Sequence, residues 1–112
     1  MRMVRYDPGA TTLGHNDTVY VQPIFGLDQM AGRITYGCCW AALRPGMAVE
    51  PHSHPSLEVY AFTRGEGVMV VDDERQPVKA GDAVLIPRGA LHSAVNPGEA
   101  ADDLVWFSLG VE

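Results

Sequence analysis

Gly46-Met-Ala-Val-Glu-Pro-His52-Ser-His54-Pro-Ser-Leu-Glu58-Val-Tyr-Ala-Phe-Thr-Arg-Gly65 is the stretch on which the fold turns. His52 and His54 stand two residues apart, and in extended backbone such residues face the same side, so both imidazoles can reach one ion. Glu58 keeps the same parity, but Pro55 and Ser56 form a turn in between, so parity alone does not place its carboxylate. A third imidazole, His92, opens a later strand just after Pro87 and Gly89. Three imidazole nitrogens and one carboxylate oxygen suit Fe, Ni, Co, Cu, Zn or Mn, and suit calcium poorly. From spacing alone two readings stay open. The residues form a metal site, or they are strand histidines spaced by chance beside a solvated glutamate.

Outward from this stretch, the apolar residues fall in short bursts rich in Val, Ile, Tyr, Phe and Trp, punctuated by Gly and Pro. Such bursts with turn signals between them predict an all-β sandwich or barrel. The expected strands are Val19 to Phe25, Ile34 to Leu43, Ala48 to His52, Leu57 to Arg64, Val68 to Val71, Gln76 to Lys79, Ala83 to Ile86, Leu91 to Asn96 and Leu104 to Leu109. Arg44-Pro45-Gly46, Gly65-Glu66-Gly67, Asp72-Asp73-Glu74, Pro87-Arg88-Gly89 and Asn96-Pro97-Gly98-Glu99 sit where the chain must reverse. Leu27 to Gly32 reads as a loop or a single helical turn. There is no internal repeat, low-complexity run or linker.

The chain has 112 residues, enough for one core and too few for two. A formal charge of −6 argues against nucleic acid or an anionic membrane as partner, since both favour a basic face. The first residues, up to Asp17, contain no apolar stretch resembling a signal peptide, and nothing approaches the roughly 18 apolar residues needed to cross a bilayer. The expected location is the cytoplasm. Cys38 and Cys39 are adjacent in an expected strand, so a disulfide between them would be strained, and both read as small buried hydrophobes.

A second stretch matches the first in character: Gly81-Asp-Ala-Val-Leu-Ile-Pro87-Arg-Gly89-Ala-Leu-His92-Ser-Ala-Val-Asn96. The two together resemble the paired motifs of the cupin superfamily, with the spacing of each kept. The likeness covers about residues 40 to 110, and residues 1–33 carry none of it. It implies a single-domain all-β cupin barrel (a double-stranded β-helix or jelly roll) over residues 34–112, with residues 1–33 as N-terminal arm and first strand. It also implies one divalent transition metal (Fe, Zn, Ni, Mn, Co or Cu) held by His52, His54, Glu58 and His92 in the barrel mouth. Gly46, Gly65, Gly81, Gly89 and Pro87 are then turn formers, and Asn96 ties down a turn. Small barrels of this kind often pair through sheet edges, so a homodimer is expected, with Val19 to Phe25 as the packed edge.

Alternation extends the pocket. If Glu58 faces inward, Tyr60 and Phe62 follow it, and Glu50 shares a face with His52 provided the chain stays extended across Pro51. Glu50 and Tyr60 are the candidate catalytic residues, each able to move a proton. Tyr36, Cys38 and Trp40 should share one face of their strand, Gly37, Cys39 and Ala41 the other, and one of Trp106 and Phe107 should point inward. His15 reads as surface. The expected function is a metal-dependent enzyme on a small polar metabolite, with non-redox lyase, isomerase or cyclase chemistry favoured. Fe(II)-dependent dioxygenation is the alternative, and a non-catalytic ligand-binding module the further one. No helix-turn-helix pattern accompanies the barrel to support a DNA-linked sensor.

Overall fold

A computed structural model describes residues 1–99 and 101–111, and the side chains of all of these except Thr35, Tyr36 and Gly37. Among the described residues a 3-10 turn at Pro8–Ala10 is followed by nine strands: β1 (Thr12–Gly14), β2 (Val19–Pro23), β3 (Ile34–Leu43), β4 (Leu57–Arg64), β5 (Glu66–Val71), β6 (Glu74–Lys79), β7 (Ala83–Ile86), β8 (His92–Val95) and β9 (Leu104–Val111). They form a six-stranded sheet in the order β1-β2-β3-β9-β4-β7 and a three-stranded sheet in the order β6-β5-β8. Every pairing is antiparallel. No helix among the described residues is long and apolar enough to cross a membrane.

The core lies between the sheets because each strand alternates. Along β4, Glu58, Tyr60 and Phe62 are buried while Leu57, Val59 and Ala61 are less so. They meet Leu104 and Trp106 of β9, Met69 of β5, Val78 of β6 and Ala94 of β8. Trp106 is the inward member of its pair, stacked on Tyr60 at 5.1 Å. Phe107 packs instead against Trp40 at 5.9 Å.

Turn residues carry the reversals. Gly46, Gly65, Gly81 and Gly89 all have positive φ. Gly65 is the strictest of these, since a Cβ there would collide with the Asp103 carbonyl. Asn96, fully buried, donates through Nδ2 to the carbonyls of Leu43 (2.9 Å) and Asp102 (3.0 Å), tying the end of β8 to the loops beside β3 and β9.

The structure departs from the sequence expectations in three places. Ala48–His52 forms no regular strand but touches β8 through two bridges, Ala48 with Val95 and His52 with His92. The first side spans one residue more than the second, so the chain slips register around Glu50 and Pro51, and Pro51 has no N–H to offer a ladder. On β3 the register slips between Gly37 and Cys39, and Cys38 takes φ of 65°. The expected shared face of Cys38 and Trp40 is therefore broken. Cys38 and Cys39 line one cavity, whereas Trp40 packs with Tyr6 and Phe107. The faces expected for Tyr36 and Gly37 lie outside the described side chains. Finally, Val19 to Phe25 is not a sheet edge, because β2 is covered by β1 on one side and β3 on the other. Leu27–Gly32 folds as tight turns, with Gly32 N donating to Leu27 O at 2.8 Å.

Candidate metal centre

His52 and His92 meet because their backbones pair. Each N–H donates to the other's carbonyl, at 3.1 and 2.9 Å. The rings lie 4.2 Å apart between centroids, and His54 stands 5.1 Å from His92. Ligating atoms of His52, His54 and His92 all fall within 4.8 Å of one another. Glu58, on β4 and fully buried, brings Oε1 to 3.1 Å from Nε2 of His54 and to 3.1 Å from Nε2 of His92. The four residues expected as ligands are thus adjacent, with Glu58 touching two of the three imidazoles.

Two of the rings are oriented by backbone carbonyls. Nδ1 of His52 lies 2.9 Å from Glu50 O, and Nδ1 of His92 lies 2.9 Å from Ala90 O. A carbonyl oxygen only accepts, so each Nδ1 carries the proton and each Nε2 presents its lone pair. Nε2 of His52 is buried with no hydrogen-bond partner. An orphaned lone pair of this kind is costly to bury, and a cation would relieve it. Burial, with His92 nearby, also holds the His52 imidazole below its ordinary pKa, against the pull of the Glu50 carbonyl and Glu58. Burial works against ionisation of Glu58, yet the adjacent His92 and His54 rings and the hydrogen bond from Ser108 together keep its carboxyl below the usual range. Ser108 Oγ donates to the other carboxylate oxygen at 3.0 Å. Imidazole nitrogens around a carboxylate held below its usual range are a donor set that a divalent transition metal takes, so the residues fit such an ion.

A cavity of about 1000 Å³ adjoins the cluster. The four ligands do not line it themselves. It reaches them through Ser108, which bonds Glu58, through Tyr60, whose ring centroid is 6.0 Å from that of His92, and through His15. Tyr60 is therefore where alternation places it. Glu50 is not. Its carboxylate is exposed and accepts from Asn16 Nδ2 at 2.6 Å, a consequence of the register slip at Pro51.

Three contributors were not expected from the sequence. His15 is half-buried and stacks on His52 at 4.1 Å, correcting its assignment to the surface. It sits in a run of three left-handed residues, His15, Asn16 and Asp17, with φ of 49, 57 and 61°. Such backbone costs on the order of 1 kcal/mol per residue outside glycine. Cys39 lines the cavity, and burial, then Glu58 and Cys38, push its thiol up to about 11, only partly offset by a hydrogen bond with Ser108. Ser108 itself follows Trp106 by two on β9, so alternation alone could have found it.

A family model for the cupin domain matches residues 39–109. Protein SchB of Streptomyces halstedii is 35% identical over 71 residues, 62% of this chain and 51% of that protein. Gentisate 1,2-dioxygenase of a Ralstonia species is 29% identical over 92 residues, 81% of this chain and 25% of the enzyme. Among solved structures, the polyketide cyclase RemF of Streptomyces resistomycificus superposes with a TM-score of 0.76 at 17% identity, over 98% of this chain and 80% of that one. That likeness speaks for the fold alone. The chain spans between a quarter and about half the length of the curated relatives it matches. With the family match covering both motifs and the barrel built as described, this chain belongs to the cupin family.

Proposed function

We propose that the chain is a metal-dependent enzyme acting on a small metabolite, by non-redox lyase, isomerase or cyclase chemistry. The observation that carries this reading is the convergence of three imidazoles and a buried carboxylate beside a half-open cavity. A divalent transition metal bound there supplies a Lewis acid with positions left for substrate oxygens. The protein's own residues do the remainder. Glu58, held ionised by Ser108 and the histidines, balances the cation's charge. Tyr60, buried at the junction of cavity and cluster, is placed to move a proton at the substrate. Glu50, engaged with Asn16 and exposed, is not favoured for that role.

Non-redox chemistry is favoured because Cys38 and Cys39 line the cavity, and thiols beside an oxygen-activating centre would be exposed to oxidation. The alternative, Fe(II)-dependent dioxygenation, is supported by the alignment with gentisate 1,2-dioxygenase over most of this chain. Turnover of hydroxy acids and dicarbonyl compounds by protein reloaded with zinc or manganese, without oxygen uptake, is the expected outcome. A strict requirement for iron together with stoichiometric oxygen consumption would overturn it in favour of the dioxygenase.

A further inference from the structure

We infer that the cavity selects an amphipathic acid, an apolar body ending in a carboxylate with a neighbouring hydroxyl or keto oxygen, and this inference rests on the metal-site reading above. Polar groups in the lining lie mainly where it meets the cluster, at His15, Tyr60 and Ser108, with the exposed Gln29 on the turn side. The rest of the wall is dominated by apolar side chains from β2, the 24–32 turns and β3, among them Val21, Ile24 and Phe25. Among the described residues no Lys, Arg, Asp or Glu lines the cavity, so they offer no cation to a phosphate and no anion to an amine. Burying an uncompensated charge against that wall is costly, so an ionised head is favoured at the metal end, where a cation would compensate it. An apolar body, in contrast, gains with every methylene it hides.

The test is calorimetric titration of the zinc-loaded chain with 2-hydroxybutyrate, 2-hydroxyhexanoate and 2-hydroxyoctanoate, with oxalate and inorganic phosphate as probes lacking a body. Affinity should rise about fourfold per methylene, leaving oxalate and phosphate at least about 250-fold weaker than the longest acid. Val21→Glu should flatten the series without altering oxalate binding. A flat series in the parent, or tightest binding of oxalate or phosphate, overturns the inference. Repeating the series on metal-stripped protein separates the two failures. A slope that persists while the preference for 2-hydroxy acids over plain acids fails to depend on zinc counts against the metal site, not the cavity.

The geometry points independently to His15 as a positioning residue for His52. Three successive left-handed residues do not hold themselves, and here they are clamped from both sides. Asn16 Nδ2 donates to Glu50 Oε2 (2.6 Å), Glu50 N donates to Thr18 Oγ1 (2.8 Å), and Thr18 Oγ1 donates to His15 O (2.7 Å). The clamp lays the His15 ring flat on His52, with 24° between the planes, while Glu50 O holds the other ring nitrogen of His52. Glu50 thus acts on the site through backbone and loop. Groups that orient a ligand in this way change metal affinity by about 10–100-fold when removed.

Chelator competition for zinc reads this without any substrate. His15→Ala should weaken zinc binding about tenfold, His15→Phe should stay within about threefold of the parent by keeping the stack, and Glu50→Ala should weaken it in the same direction. Parent-like affinity in His15→Ala overturns the proposal. So does a His15→Phe variant as weak as His15→Ala, which would make His15 a ligand and not a support.

Discussion

Between Gly46 and Asn96 each functional side chain is placed by something visible as a residue type at a spacing. His52 and His92 meet by backbone pairing, Glu58 by strand alternation, and the reversals by Gly and Pro. Residues 1–33 reach the same site by other means. They bring His15 onto His52 and supply the wall of the cavity from β2 and the following turns, with no motif to announce it. The contrast separates two tasks. The motif half builds a generic ion site within a rigid frame, and the N-terminal segment shapes what lies next to it. A family match over residues 39–109 therefore reports the first task and is silent on the second.

The contrast can be broken or sharpened by matched substitutions. Gly65→Ala should be the most damaging, because it forces a Cβ into the Asp103 carbonyl at a φ of +82°. A loss of at least about 3 kcal/mol in urea unfolding, or failure to fold, is expected. Asn96→Ala strands the buried Leu43 carbonyl and frees the part-buried Asp102 carbonyl, and should cost about 2–3 kcal/mol in the same assay. In the N-terminal segment, Gly32→Ala has a φ of +69° but no heavy atom within 4 Å of the new Cβ, so only the backbone penalty of about 1 kcal/mol applies. Equal costs at Gly65 and Gly32 would show that the two regions are equally constrained, contrary to the comparison.

Cys39 gives a probe with little effect on stability. Its half-buried thiol, pushed up to about 11 chiefly by burial, remains protonated until the pH approaches that value. The thiolate is the reactive form, so alkylation by iodoacetamide should be slow at pH 8 and climb roughly tenfold per pH unit beyond pH 9. A rate that levels off above pH 9, as for an exposed thiol, would mean that the cavity wall at the β3 bulge is open to solvent.

Much of the barrel was legible because alternation and turn chemistry are local. β3, β4 and β7 begin and end where the apolar bursts do. Alternation failed where the backbone left regular extension. One extra residue at Glu50-Pro51 turned the Glu50 carboxylate away from the ligands, and a left-handed Cys38 put two adjacent cysteines on one cavity. The Glu50-Pro51 slip carries no glycine, and at the β3 bulge the left-handed residue is Cys38 itself, not the neighbouring Gly37. At His15-Asn16-Asp17 the only hint was that Asn and Asp tolerate left-handed backbone. The stacking partner was thirty-seven positions away, beyond any local pattern. β1 and the Pro8–Ala10 turn were too short to show periodicity.

The central claim is that His52, His54, Glu58 and His92 hold one divalent metal ion. Mass-spectrometric metal analysis of protein purified without chelator tests it most directly. About one equivalent of a single transition metal per chain is expected, falling below about a tenth in His92→Ala while circular dichroism still reports a folded barrel. Less than about half an equivalent in the parent, or undiminished metal in both His52→Ala and His92→Ala, would contradict it.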